Sequence, residues 1–218
     1  MRTSGTSLLL ALAAFSSVLP AQTPARPPIT APPPAERSSL RAMRLDADAI
    51  TLDGKLDELA WQRAPVGREQ FTQAWPNPGK PGTEATEVRV LFDAAAVYVA
   101  VKAFDSRPDS IAAPLARRDI NGIHSDWIHV VIDSYWDKRT GFRFTVNPRG
   151  IQKDVFHSND NSEDANWDAV WDVGTRIDKD GWVAEYRIPL SQLRFGDAPA
   201  GTERTWGFQV QRDIARKN

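Results

Sequence analysis

Guanidinium groups, amides, an imidazole and an indole recur at alternate positions of several short apolar runs: Arg89, Trp127, His129, Arg143, Thr145, Arg187, Gln209 and Gln211. Guanidinium and amide groups hydrogen-bond hydroxyl-rich ligands, and an indole offers a flat apolar face for a ring to stack on. The same residue types also suit the solvated side of a sheet, so a ligand-binding face and a plain wet surface both stand as readings. A second candidate lies in residues 157–166, where Asn159, Asp160, Asn161, Glu163 and Asp164 supply hard oxygen donors. Asp160, Ser162 and Asp164 alternate as in the first part of a calcium loop, without the glycine and the distal bidentate Glu of an EF-hand. Asp160 and Asp164 are therefore the metal candidates and calcium the ion, set against a solvated acidic loop.

Other chemistries find no residues to carry them. The chain has no cysteine, which removes disulfides, thiolate metal sites and cysteine nucleophiles. There is no Gly-rich phosphate loop, no His-Glu-x-x-His and no Gly-x-Ser-x-Gly. The three histidines, His124, His129 and His157, are scattered. A pair of glycosidase carboxylates is set by separation in space and not by spacing in sequence, so Asp126 and Glu185 serve as first probes of an enzymatic reading. The expectation is a chain without a catalytic site of its own. Lys and Arg number 27 against 28 Asp and Glu, a net charge of −1, which gives no electrostatic reason to expect nucleic acid as partner.

The elements that must position these residues are strands. The centre of the chain reads Asp126-Trp-Ile-His-Val-Val-Ile-Asp133, then Phe142-Arg-Phe-Thr-Val-Asn147, then Ile151-Gln-Lys-Asp-Val-Phe156. Three alternating runs joined by turn residues predict an antiparallel meander, with Ile128, Val130, Ile132, Phe142, Phe144 and Val146 facing inward. Strands are also predicted over residues 44–52, 71–75, 87–93, 97–105, 173–177, 182–188 and 206–212, and a short helix over 57–63 carrying Leu59 and Trp61. Trp167, Trp171 and Trp182 read as plugs between sheets. Many short strands with frequent turns predict an all-β antiparallel sandwich, jelly-roll-like, with one short helix near the N-terminus.

The first residues combine Met1-Arg2, an apolar run from Leu8 to Val18 and a small residue at Ala21. This predicts a secretory signal peptide over 1–21, too short to span a membrane, and hence export to the periplasm, outer membrane or extracellular space. Residues 22–40 are Pro-rich with almost no large apolar side chains, which predicts a disordered linker before a domain over 41–218. The stop directly after a strand suggests a fragment with a further C-terminal region.

Ile50-Thr-Leu-Asp-Gly-Lys-Leu-Asp-Glu-Leu-Ala-Trp61, Val88-Arg-Val-Leu-Phe-Asp93 with Tyr98-Val99, and Asp126–Asp133 together resemble family 9 carbohydrate-binding modules. Gly181-Trp-Val-Ala-Glu-Tyr-Arg-Ile-Pro189 and Trp206-Gly-Phe-Gln-Val-Gln211 fit the same series. Arg117-Arg-Asp119, Thr140-Gly-Phe142, Val146-Asn-Pro148 and Trp167-Asp-Ala-Val-Trp-Asp172 look like one subfamily, the exported module that precedes a large β-barrel region in Gram-negative bacteria. The resemblance implies a β-sandwich, glycan as ligand, and a role in polysaccharide catabolism beside a linked hydrolase of O-glycosyl compounds rather than as one. It also implies the alternative of a structural module packed on a C-terminal β-barrel or an outer-membrane partner. In sugar-binding members an indole lies where this chain has Ile123, a Glu where it has His129 and an Arg where it has Thr145; a second indole would lie past Asn218. By this comparison the fold transfers, whereas the sugar contacts depart from the family pattern. The ligand-binding candidates remain Arg89, Trp127, His129, Arg143, Arg187 and Gln209.

Overall fold

The computed structural model describes residues 39–46, 49–67, 71–159, 162–197, 199 and 201–217. The signal peptide and nearly all of the Pro-rich linker read from the sequence lie outside them.

Among the described residues ten strands form two five-stranded sheets, and the antiparallel sandwich predicted from alternation is the fold observed. The first sheet has the order β1-β2-β3-β9-β8 and the second β10-β4-β5-β6-β7. In the first sheet, β1 (Met43–Arg44) runs parallel to β2 (Thr86–Phe92), followed by antiparallel β3 (Ala96–Phe104), β9 (Gly181–Pro189) and β8 (Asp172–Asp178). The second contains β4 (Trp127–Asp133), β5 (Gly141–Val146), β6 (Gln152–Ser158), β7 (Ser162–Asp164) and β10 (Gly207–Asp213), all antiparallel.

The period-two pattern decides which side chains meet between the sheets. Val88, Val90, Val99, Val101, Trp182, Ala184, Tyr186 and Ile188 from the first sheet face Ile128, Val130, Ile132, Phe142, Phe144 and Val146 from the second. Trp171 joins them, stacked on Tyr186 at a centroid distance of 5.6 Å and edge-on to Phe144 at 5.4 Å. Trp167 lies against Phe142 and Phe144, so the three expected indole plugs all pack on this core. The hydroxyl of Tyr186 donates to the carbonyl of Ile128 at 3.1 Å, which ties the two sheets together.

The first sheet is also covered on its outer face. A second apolar cluster there joins Leu91, Ala96, Tyr98 and Ala100 to Leu45, Ala60, Trp61 and Ala64, carried by β1 and the short helix α1 (Leu59–Arg63). Glu185 points from β9 into this layer and is fully buried. Its carboxylate accepts from Trp61 Nε1 (2.9 Å), from Gly54 N (2.6 Å) and from Asp53 N (3.2 Å). Of the strand expected over residues 44–52, only Arg44 falls in β1, and residues 47–48 lie outside the described residues. The Asp53-Gly54 turn is held to the sheet by the Glu185 side chain. Close approach enforces the same path, because a Cβ at Gly174 would lie 2.3 Å from the Leu52 carbonyl. The strand expected over 71–75 is a single bridge between Thr72 and Pro81.

Candidate functional site

With the first sheet covered, the outer face of the second sheet is where alternation leaves polar side chains in ordered rows. The register places Gln209, Val131, Arg143 and Val155 side by side across β10, β4, β5 and β6, and Gln211, His129, Thr145 and Lys153 in the next row. Asp213 and Trp127 follow at one end, and Asp133 and Gly207 lie at the other.

His129 is the best-connected group in these rows. Its Nε2 lies 3.0 Å from Asp213 Oδ2 and its Nδ1 2.9 Å from Thr145 Oγ1. Because a carboxylate only accepts, Nε2 donates to Asp213, while Nδ1 meets the threonine hydroxyl, which can donate or accept. Burial pushes the Asp213 carboxyl up, but the bond and charge of His129 and the amide of Gln211 (3.1 Å) bring it below its ordinary value. Thr145 is itself buried between its taller neighbours.

Trp127 faces the same side, yet it is only 7% exposed. The Lys153 ammonium sits 4.5 Å from the indole centroid and donates to Asn121 Oδ1 at 3.3 Å. Desolvation by that packing, with Arg143 nearby, draws the Lys153 pKa down. Arg143 is held by a two-point contact with Glu163 on β7, at 3.0 and 3.1 Å. His157, also drawn down by burial and then by Arg143, lies 3.8 Å from Glu163. Gln209 and Gln211 are exposed.

Four of the sequence candidates, Trp127, His129, Arg143 and Gln209, thus share one face, with Gln211 and Thr145. Arg89 and Arg187 do not. They project from the outer side of the first sheet, across the sandwich, at the fringe of the layer covered by α1. Arg89 pairs there with Glu87 (3.1 Å) and Arg187 with Asp172 (3.3 Å). Alternation sorts side chains into inside and outside but does not say which of two outsides, and this is why six candidates became four. Lys153 and Asp213 were absent from the sequence list, and Glu163 stood in it as an oxygen donor of residues 157–166 and not as the partner of Arg143. The first two lay open to the same alternation, two residues before Val155 and two after Gln211.

Residues 157–166 are not a free polar loop, because β6 runs on through Ser158 and pairs with β7. Asp164 Oδ1 accepts from the backbone and side-chain nitrogens of Asn166 at 2.9 and 3.2 Å, and Glu163 serves Arg143. Asp160 lies outside the described residues. Among the described residues no group of three His, Asp or Glu is disposed around a common point for a metal ion. Asp126, just before β4, and Glu185, on β9 of the other sheet, the first probes of an enzymatic reading, are 1% and 0% exposed, so neither lines an open cleft.

Motifs far apart in sequence converge on Asp154, which faces inward from β6. Its carboxylate takes the Arg118 guanidinium, the Ala169 N–H (2.6 Å) and the Trp171 indole N–H (3.3 Å), while Arg118 also donates to the Ala169 carbonyl at 2.7 Å. Asn147 likewise closes the β5–β6 turn by accepting from the N–H groups of Arg149 and Ile151. These motifs hold the sandwich together and do not reach the polar face.

Two sheets in this arrangement, one capped and one open, make a β-sandwich of the carbohydrate-binding module type. A family 9 module from Caldicellulosiruptor kristjanssonii in complex with cellotriose superposes with a TM-score of 0.51 and 16% identity, over 79% of this chain and 76% of the other. The same module in complex with glucose gives 0.51 and 16%, over 79% and 78%. Residues 52–215 match the family described as carbohydrate family 9 binding domain-like, and the chain belongs to that family. No curated protein matches it by sequence.

Proposed function

We propose that the chain is a non-catalytic carbohydrate-binding module that takes its glycan on the outer face of the second sheet. The observation that carries this reading is the asymmetry of the sandwich. One outer face is sealed by α1 and Trp61, while the other presents Gln209, Gln211, Arg143 and Lys153 in register beside the Trp127–Lys153 stack. Amides and cations in adjacent rows can bond vicinal hydroxyls, and the rows run across four strands. Family membership and the cellotriose and glucose complexes of the structural neighbours support the same ligand class. Export by residues 1–21 would place the module among extracellular polysaccharides.

The expected result is retention of the protein on affinity gels containing soluble glucans, with Gln211→Ala and Lys153→Ala each weakening binding by roughly tenfold. Failure to bind any polysaccharide of a broad panel would sink the reading. A second reading, a structural module packed through this face on a β-barrel region or an outer-membrane partner, draws on a specific feature. His129 has both ring nitrogens engaged by Asp213 and Thr145, and Arg143 is already paired with Glu163. Co-purification of a longer natural chain with its membrane fraction, resistant to competing glycans, would favour it.

A further inference from the structure

The loop between β4 and β5 carries an arrangement that folding does not explain. Tyr135 and Trp136 stand side by side at its tip, 48% and 43% exposed, so neither gains much from burial. Trp136 has φ of 57°, the left-handed region, and so does Lys138 at 59°. Bulky aromatic residues rarely occupy this region, and glycine or asparagine would make the same turn with less strain. The loop is nonetheless firmly specified. Asp133 accepts from the N–H groups of Asp137 (3.3 Å) and Lys138 (2.8 Å), and Asp137 accepts from those of Arg139 and Thr140 (both 2.8 Å). Ser134 Oγ donates to the Arg194 carbonyl, and Arg139 donates to Asn159 on the β6 side. An exposed indole is thus held in a strained backbone by a network that fixes its place, with the Lys138 ammonium 5.6 Å from the ring centroid.

The place is continuous with the polar face. Asp133 ends β4 in the outward row beside Gly207, two residues along from Val131 and its neighbours Gln209 and Arg143. We infer that Trp136, with Tyr135 beside it, is a stacking platform for a pyranose ring of the glycan. It would extend the site along the strands, away from Trp127 and His129. An indole recognises the flat C–H face of a pyranose, and Lys138 and Arg139 stand beside it to meet ring hydroxyls. The platform rests on the carbohydrate-binding reading and lengthens it into a site for a chain and not a single sugar.

The test is isothermal titration of the whole protein with glucose and with cello-, xylo-, manno- and chito-oligosaccharides of two to six units. Trp136→Ala, Trp136→Gly and Tyr135→Ala are compared with Gln211→Ala. The expected result is that Trp136→Ala lowers affinity for the longest bound oligosaccharide by about tenfold or more while leaving the monosaccharide within about twofold. Trp136→Gly is expected to lose the same affinity while raising Tm by about 2–4 °C, because it relieves the left-handed strain. A purely structural tryptophan would not give that opposition. Wild-type affinity for long chains in both Trp136 variants overturns the platform and leaves the general reading in place. Absence of binding by the wild type to every sugar tested, with Gln211→Ala equally silent, overturns both.

Discussion

Asp154 shows what a single inward-facing carboxylate does in a strand that otherwise alternates normally. It holds Arg118, Ala169 N and the Trp171 indole, and Arg118 in turn holds the Ala169 carbonyl. Replacing it with alanine strands two N–H donors and a half-buried guanidinium, which predicts a loss of about 3 kcal/mol in urea unfolding. An Asp154→Ala protein as stable as the wild type would refute that account. On the polar face the logic is reversed, since His129 has both ring nitrogens engaged. The resemblance to sugar-binding relatives had already set His129 and Thr145 apart as departures, and the bond between them gives the departure a physical form. In the proposed reading the sugar contacts fall to the amides of Gln209 and Gln211 and to Lys153. The glutamines were singled out in the sequence; the lysine lay open to the same alternation, but its place beside Thr145 is set by the register of β6.

Among the elements, α1 has an effect out of proportion to its five residues. Trp61 and Glu185 meet beneath it, and the segment before it is pressed so closely to β8 that Gly174 has no room for a side chain. Gly174→Ala is expected to cost about 1–3 kcal/mol by overpacking, read as a lowered denaturation midpoint with unchanged m-value. The strands themselves were legible in the sequence. Alternation in Val88-Val90, Val97-Val99-Val101 and Ile128-Val130-Ile132 placed β2, β3 and β4 to within a residue or two, because a half-buried strand must write its burial in steps of two. What alternation could not say is whether the other side was wet. Arg89 and Arg187 were misplaced because the cover over their sheet comes from a segment whose contacts depend on one glutamate more than 120 residues downstream. The β6–β7 hairpin was missed because its polar residues look like a loop until they are paired.

For the whole molecule, two carboxylates with opposite shifts lead the response to pH, and Asp126, raised by burial, acts in the same direction as the second of them. Burial would raise Glu84, but Lys217, Ser106 and Arg216 overcome it and hold the pKa at about 2. Its stabilisation is present above the ordinary value of 4.5 and is lost as pH falls from there towards 2. Glu185 is pushed the other way by burial, to about 7 against N–H donors that favour its charge. Its stabilisation is complete below 4.5 and is lost as pH rises through 7, an effect of about 3 kcal/mol at most. Stability is therefore expected to crest near pH 4.5–5. His157, drawn down by burial, works against the decline near its ordinary 6.5. Chemical denaturation from pH 4 to 8 checks this, and the decline above pH 5 should be shallower in Glu185→Gln.

The polar face also has a history in time. Gln209, Gln211 and Asp213 belong to β10, which pairs with β4 some eighty residues upstream. Arg212 and Arg216 fasten that end of the chain to Asp105, and Arg216 and Lys217 to Glu84, across more than 100 residues. Contacts of such long range form late. The core can therefore assemble its inward-facing strands before Asp213 is placed to orient His129. The polar face is thus expected to be completed only after the core has closed.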